Sequence, residues 1–369
     1  MPPIPSTAGP HLPRIITYFQ TTHTRDGKPV SVLPLIREPG VSVTHVIVAA
    51  IHLNEDPDAI TLNDHHPGHE RYQTMWAEMR ILQASGVKIL GMLGGHARGS
   101  YERLDADQAQ FERYYAALHN MVKTHALEGL DLDVEEPMSL PGIVRLIDRL
   151  RADFGRDFII TMAPVAAALL GDHDPRRNLS GFGYDALHAA RGHEISWYNV
   201  QFYCGWGDCS NPVMYEMIIS RGRFPANKVV VGLVTNPANG SGWVPWEMLA
   251  SVLPILLGRR ADFGGVMGWE YFNSLPGGEE KPWEWAMFMT ALLRGDRAVA
   301  PQEQHVLDSV ASEARREREE RPRQNEQAES RKAAATVMEA DPDDSKGGDA
   351  PVPHDFEYHS DGRETPASP

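Results

Sequence analysis

Residues 128–135, Glu-Gly-Leu-Asp-Leu-Asp-Val-Glu, alternate aliphatic and acidic side chains at the two-residue period of a β-strand. Leu130, Leu132 and Val134 face one way, and Asp131, Asp133 and Glu135 face the other. Neighbouring carboxylates on such a row have Cα atoms roughly 6–7 Å apart. Three of them in a partly dry space cannot all ionise cheaply, so one at least is expected to keep its proton above the ordinary carboxylate range. Glu135, last in the row, is expected to be that neutral acid, able to donate a proton near pH 7. Two blander readings stand beside this one. Alternating acids line the solvated face of many edge strands, and Asp-x-Asp-x-Glu offers hard oxygen ligands to a divalent metal.

The flanking sequence decides among the three. Residues 14–20 and 43–51 read as buried, continuously apolar strands. Residues 72–85 have helical spacing, with Met75, Met79 and Leu82 on one face and Gly86 as the stop. A third strand, 87–93, ends in Gly94-Gly95, where backbone without side chains lets a ligand or a neighbouring strand come close. An amphipathic helix over 107–127, with Phe111, Tyr115, Leu118 and Val122, leads into the acidic strand, which is the fourth. Pro137 ends it, and 140–154 supplies the next helix. Strands follow at 158–164, 195–203, 228–234 and 263–270, and a last helix at 283–293.

Strands alternating with helices over this length predict an α/β fold with a parallel sheet and right-handed crossovers. Eight strands close a (β/α)8 TIM barrel. A closed barrel has no edge, so the edge-strand reading of the acidic row falls away. In that architecture the strand ends carry the chemistry, which places Glu135, Tyr203 and Trp269 on a common face.

Residues 1–13 form a Pro-rich lead-in, 14–299 the barrel domain, and 300–369 a tail rich in Glu, Arg, Gln, Ser, Pro and Asp. The tail is expected to be largely disordered, with transient helix in the charged run 313–320 held by ion pairs one turn apart. Fifty acidic against 35 basic residues, a net charge of -15, exclude a phosphate-binding surface and hence a nucleic-acid partner. Cys204 and Cys209 are too few for a disulfide scaffold and are expected to be free thiols. The start of the chain has neither the basic residues nor the apolar run of a secretory signal, and no window is apolar enough to span a bilayer. A soluble, cytoplasmic monomer without membrane contact is expected. The histidines of 64–69 sit in loop composition with no Cys nearby, so they read as a solvated loop, and neither metal nor cofactor is expected.

Residues 128–135 resemble the Asp-Gly-x-Asp-x-Asp-x-Glu signature of glycoside hydrolase family 18, which includes chitinases and endo-β-N-acetylglucosaminidases. Gly94-Gly95, Met162-Ala163-Pro164, Gln201-Phe202-Tyr203 and Trp269 extend the resemblance over about residues 14 to 294. Two positions depart from the pattern: Glu128 stands for the leading Asp, and Met92 for the Ser of the Ser-x-Gly-Gly motif, which puts in doubt any polar network below Asp131. The strand at 91–95 and Val134-Glu135-Glu136 look more like fungal endo-β-N-acetylglucosaminidases than chitinases.

The resemblance implies an enzyme whose nucleophile is the substrate's own 2-acetamido oxygen, an exception to the scheme with two protein carboxylates. It makes Glu135 the acid, Asp133 the group that orients the acetamido N–H, and Asp131 the group that tunes Asp133 by sharing a proton. It implies substrate contacts from Tyr203, Gln201, Trp269, Met162, Gly94 and Gly95. The substrates it implies are N-glycans or N-glycoproteins, cut at the GlcNAc-β-1,4-GlcNAc core, with chitin oligomers as the alternative. A non-catalytic carbohydrate-binding barrel is a further reading, which the retained Glu135 opposes.

Overall fold

The computed structural model describes residues 12–171 and 175–295. The tail assigned to 300–369 and most of the 1–13 lead-in lie outside the described residues. The strands are β1 (Arg14–Phe19), β2 (His45–His52), β3 (Thr61–Leu62), β4 (Lys88–Gly94), β5 (Gly129–Asp133), β6 (Ile159–Met162), β7 (Trp197–Gln201), β8 (Val229–Val234) and β9 (Gly265–Trp269). All but β3 pair in parallel with their neighbours, and β1 pairs with both β9 and β2, which closes an eight-stranded barrel. The two-residue β3 is an antiparallel addition on β2 that the sequence did not announce.

The helices that follow the strands build the outer layer: α1 (Pro34–Arg37), α2 (Gln73–Ala84), α3 (Ser100–Asp105), α4 (Gln108–Thr124), α5 (Leu140–Phe154), α6 (Tyr184–Arg191), α7 (Val213–Ser220), α8 (Trp246–Arg259) and α9 (Glu284–Arg294). The ends of α5 show how local sequence sets such an element. The Ser139 hydroxyl accepts from Gly142 N at its start, and Gly155 ends it with φ 77°. Between them Ile143, Leu146, Ile147 and Leu150 are fully buried against the sheet at i, i+3, i+4 and i+7, each contributing about 1.5–3 kcal/mol by leaving water.

Two apolar groups result from the alternation along each strand. Leu130, Leu132 and Val134 join the larger core between sheet and helices. Ile16, Tyr18, Ile47, Leu90, Met92, Trp197, Tyr203, Val230 and Met267 fill the barrel interior. The acidic row of β5 therefore points inward, as its period requires. Among the described residues no helix is long and apolar enough to cross a membrane.

Candidate active site

β5 carries Asp131 and Asp133 on its inward face, and the strand ends there, so Glu135 projects from the segment beyond, half-buried. Asp131 is fully buried and takes three hydrogen bonds. Tyr18 Oη donates to its Oδ2 at 2.6 Å, while Thr161 Oγ1 and Asn199 Nδ2 donate to its Oδ1 at 2.6 and 3.0 Å. Trp197 Nε1 donates to Asn199 Oδ1 at 2.9 Å, which orients that amide with its N–H groups toward Asp131. The polar network that Met92 left in doubt is thus built from β1, β6 and β7. Burial raises the Asp131 carboxyl above its usual range, against the pull of the three donors.

Gln201 Nε2 donates to Asp133 Oδ1 at 3.2 Å, to Glu135 Oε1 at 3.3 Å and to Ala163 O at 2.9 Å. Asp133 is pushed well above the ordinary carboxylate range, first by burial and then by the charges of Glu135 and Asp131. The sequence assigned the retained proton to Glu135. Asp133 is a carboxyl that is pushed strongly upward, because β5 carries it into the dry interior. The charge of Asp131 is one of the causes that raise Asp133, and its oxygens accept from Tyr18, Thr161 and Asn199. Tyr203 is buried beside the carboxylates, and burial followed by the charges of Asp133 and Glu135 raises its phenol well above the usual range, so it remains an O–H donor.

Of the other predicted residues, Gly94, Gly95 and Trp269 lie at or just past the ends of β4 and β9, and Met162 does not join them. Gly94 and Gly95 serve close approach: a Cβ on Gly94 would lie 2.4 Å from the Tyr101 ring and 2.6 Å from Asp133 O, and Gly95 N donates to Asp133 O at 2.9 Å. What they support is the Asp133 backbone. Trp269 is half-buried at the end of β9, its ring edge-on to Tyr18 with centroids 5.4 Å apart. Met162 needs correction. Thr161 is the register partner of Asp131 and faces inward, so Met162, the partner of Leu132, faces the helices, fully buried in the outer core and away from the carboxylates.

Glu136 and Glu128 belong to the frame. Glu136 is buried and accepts from Gly99 N at 2.6 Å and Tyr101 N at 2.7 Å, fixing the loop after β4. Glu128, at the far end of the acidic stretch, pairs with Lys88 at 2.6 Å and accepts from Ile89 N at 3.0 Å. The sequence reading missed Tyr18, Thr161 and Asn199. Asn199 carried a signal, since Asn199, Gln201 and Tyr203 repeat at period two in an otherwise apolar run. The reading also missed Glu270, which is buried and accepts from Gln20 N, Thr21 N and Thr21 Oγ1 at 2.9, 2.8 and 2.6 Å.

In the loop at 64–69, His66 Nδ1 accepts from Gly68 N and His69 Nδ1 from Arg71 N. Among the described residues no group of three His, Cys, Asp or Glu is placed to hold a metal ion. Cys204 and Cys209 are free thiols.

Residues 14–236 match the family model described as Glycosyl hydrolases family 18. The chain belongs to that family. Among solved structures of family 18 proteins, it is similar to a fungal endo-beta-N-acetylglucosaminidase (49% identity, TM-score 0.74, 77% of this chain and 99% of that one). It is also similar to the chitinase ChiC from Aspergillus fumigatus (57% identity, TM-score 0.69, 75% of this chain and 98% of that one). Curated relatives include Chitinase Chi52 of Paenibacillus xylanexedens (32% identity, 34% of this chain and 27% of the relative). Another is Chitinase 2 of Rhizopus oligosporus (28% identity, 53% of this chain and 36% of the relative). The chain thus spans about a third of the length of these two curated relatives.

Proposed function

We propose that this glycosidase is an endo-β-N-acetylglucosaminidase that cuts the GlcNAc-β-1,4-GlcNAc core of N-glycans with retention of configuration. The observation that carries the mechanism is the pairing of Asp133 and Glu135 through the single nitrogen of Gln201. A retaining enzyme with a protein nucleophile sets its two carboxyl groups on opposite faces of the sugar, about 5–5.5 Å apart. Here Asp133 ends the strand, Glu135 follows two residues on, and both carboxyls reach the same Gln201 nitrogen, which supports attack on the anomeric carbon by a group of the substrate itself.

In this reading Glu135 gives its proton to the leaving glycosidic oxygen as the 2-acetamido oxygen bonds to C1. Asp133 accepts the acetamido N–H and stabilises the positive charge that develops on the resulting oxazolinium. Tyr203 donates its phenolic O–H to the acetamido carbonyl. Water then attacks C1, Glu135 takes its proton, and the acetamido group is restored.

Likeness to the fungal endo-β-N-acetylglucosaminidase over nearly all of that chain supports the N-glycan core as substrate. The higher identity to the Aspergillus chitinase favours a second reading, in which the same bond is cut in chitin oligomers. A denatured high-mannose glycoprotein and a chitin tetramer, assayed side by side, separate them. The expected result is release of the glycan with one GlcNAc left on Asn, and slow turnover of the tetramer. Efficient tetramer cleavage without deglycosylation would establish the second reading. Work on misfolded glycoproteins in the cytoplasm is part of the same proposal, checked by fractionating cells and locating the activity.

A further inference from the structure

The segment 235–243, which leaves β8 toward α8, bridges Tyr203 and Trp269. One end is tied to Trp269. Thr235 N donates to Trp269 O at 2.8 Å, and Asn239 Nδ2 donates to the same oxygen at 3.3 Å. Asn239 and Asn273 also exchange amide hydrogen bonds of 2.9 and 2.8 Å, which lock the segment to the loop after β9. The other end lies on Tyr203. Cys204 N donates to Ser241 O at 2.9 Å. A Cβ on Gly242, whose φ is 86°, would stand 3.2 Å from Tyr203 Cα, so only glycine lets the backbone lie this flat.

Trp243 follows at once. It is half-buried and packs against both the interior group that contains Tyr203 and the core behind the sheet. A large, half-buried aromatic ring therefore packs on the same interior group that contains Tyr203 and against which Trp269 also packs.

We propose that Trp243 is a sugar-contacting residue: its indole makes a second aromatic face beside Trp269 and stacks on the pyranose next to the one whose acetamido group is activated. The chemical class of ligand is a β-linked N-acetylhexosamine, whose equatorial substituents leave a C–H face for an indole to cover. The inference rests on the glycosidase assignment and holds whether the chain is a glycan core or chitin.

The test uses the full chain with Glu135→Gln, so that ligand is bound and not turned over, titrated calorimetrically with a chitin tetramer and with a high-mannose glycopeptide. Trp243→Leu keeps apolar volume for the core, while Trp243→Phe restores a flat ring. Loss of the aromatic face is expected to weaken binding of at least one ligand roughly three- to tenfold in the Leu variant, with the Phe variant recovering most of it. With Glu135 intact, the Leu variant is expected to raise KM by a similar factor and leave kcat within about threefold. Binding by the Leu variant within about twofold of its parent for both ligands would overturn the proposal. So would equal weakening in the Leu and Phe variants with a melting temperature lowered by more than about 5 °C, which marks a packing role. A parent that binds glycopeptide and not tetramer, or the reverse, settles the substrate and leaves the same comparison to decide Trp243. A parent that binds neither refutes the glycosidase reading together with the proposal.

Discussion

The two ends of the barrel treat charge in opposite ways. At the end where the strands begin, Arg14 lies over the Trp197 ring at 4.4 Å, His45 meets the same ring edge-on at 4.7 Å, and Arg14 Nη1 donates to Asn227 O at 2.8 Å and Gly264 O at 3.1 Å. Burial lowers the Arg14 guanidinium to about 10, yet carbonyls and an aromatic face still receive its charge. Glu128, at the same end, has Lys88. At the end where the strands finish, Asp131, Asp133 and Glu135 crowd together, and the donors that reach them are a phenol, a hydroxyl and two amides, all neutral. Acids with a cation partner hold the fold. The buried Asp131 and Asp133, given only neutral donors, are held above the ordinary carboxylate range.

Replacing the charge at each end breaks or sharpens this contrast. Glu135→Gln is expected to have the largest effect, a fall in turnover of about 10²–10⁴-fold on a glycan substrate with circular dichroism unchanged, because the amide has no proton to give at neutral pH. Turnover within a few-fold of wild type would remove Glu135 from the acid's role.

Asp133→Asn is expected to lose less, about 10²-fold in hydrolysis, and to keep its use of a pre-formed sugar oxazoline, which no longer needs Asp133 to help create it. It also has a signature in stability. The folded-state pKa of Asp133 is raised above its unfolded value, so between the two values the folded protein binds more protons and stability falls as pH rises. Asn removes that penalty. Melting at pH 8 is expected to rise by roughly 2–4 °C in the variant, and the gain is expected to shrink as pH falls toward the unfolded value near 4. A gain that grew toward low pH would mean Asp133 is stabilised as an anion.

Tyr18→Phe removes one neutral donor from a fully buried carboxylate. The expected cost is about 1–3 kcal/mol in stability, read by urea unfolding, with an activity loss of about tenfold. Glu128→Gln, at the opposite end of the same stretch, breaks a partly exposed ion pair and is expected to cost under about 1 kcal/mol, leaving kcat/KM within about twofold. A larger loss of activity from Glu128→Gln than from Tyr18→Phe would reverse the contrast between the ends.

Much of this architecture is legible in the sequence itself. The eight strands, the helices at 73–84 and 140–154, and the inward face of the acidic row follow from local period, because a buried strand and an amphipathic helix write their geometry into consecutive residues. What escapes depends on register between distant segments. Tyr18, Thr161 and Asn199 meet Asp131 across 113, 30 and 68 residues of sequence. The same dependence on register misplaces Met162, since only the pairing of Asp131 with Thr161 shows which parity on β6 faces in. The end of the acidic strand escapes for a related reason: period two runs on through Glu135 in the sequence, whereas the strand stops at Asp133.

The Gln201 amide nitrogen has two hydrogens and three oxygen neighbours, so one acceptor must go short. Ala163 O, the nearest, is fixed backbone, which leaves one hydrogen for Asp133 and Glu135 to compete over. A protonated carboxyl oxygen is the weaker acceptor, so that hydrogen favours whichever carboxyl is charged. Scarcity of donors thus makes the side chain report which carboxyl is charged. Gln201→Met, which keeps the length and removes both hydrogens, should leave the two carboxyls to settle their proton without that referee, and a broadened pH–rate profile would be its trace.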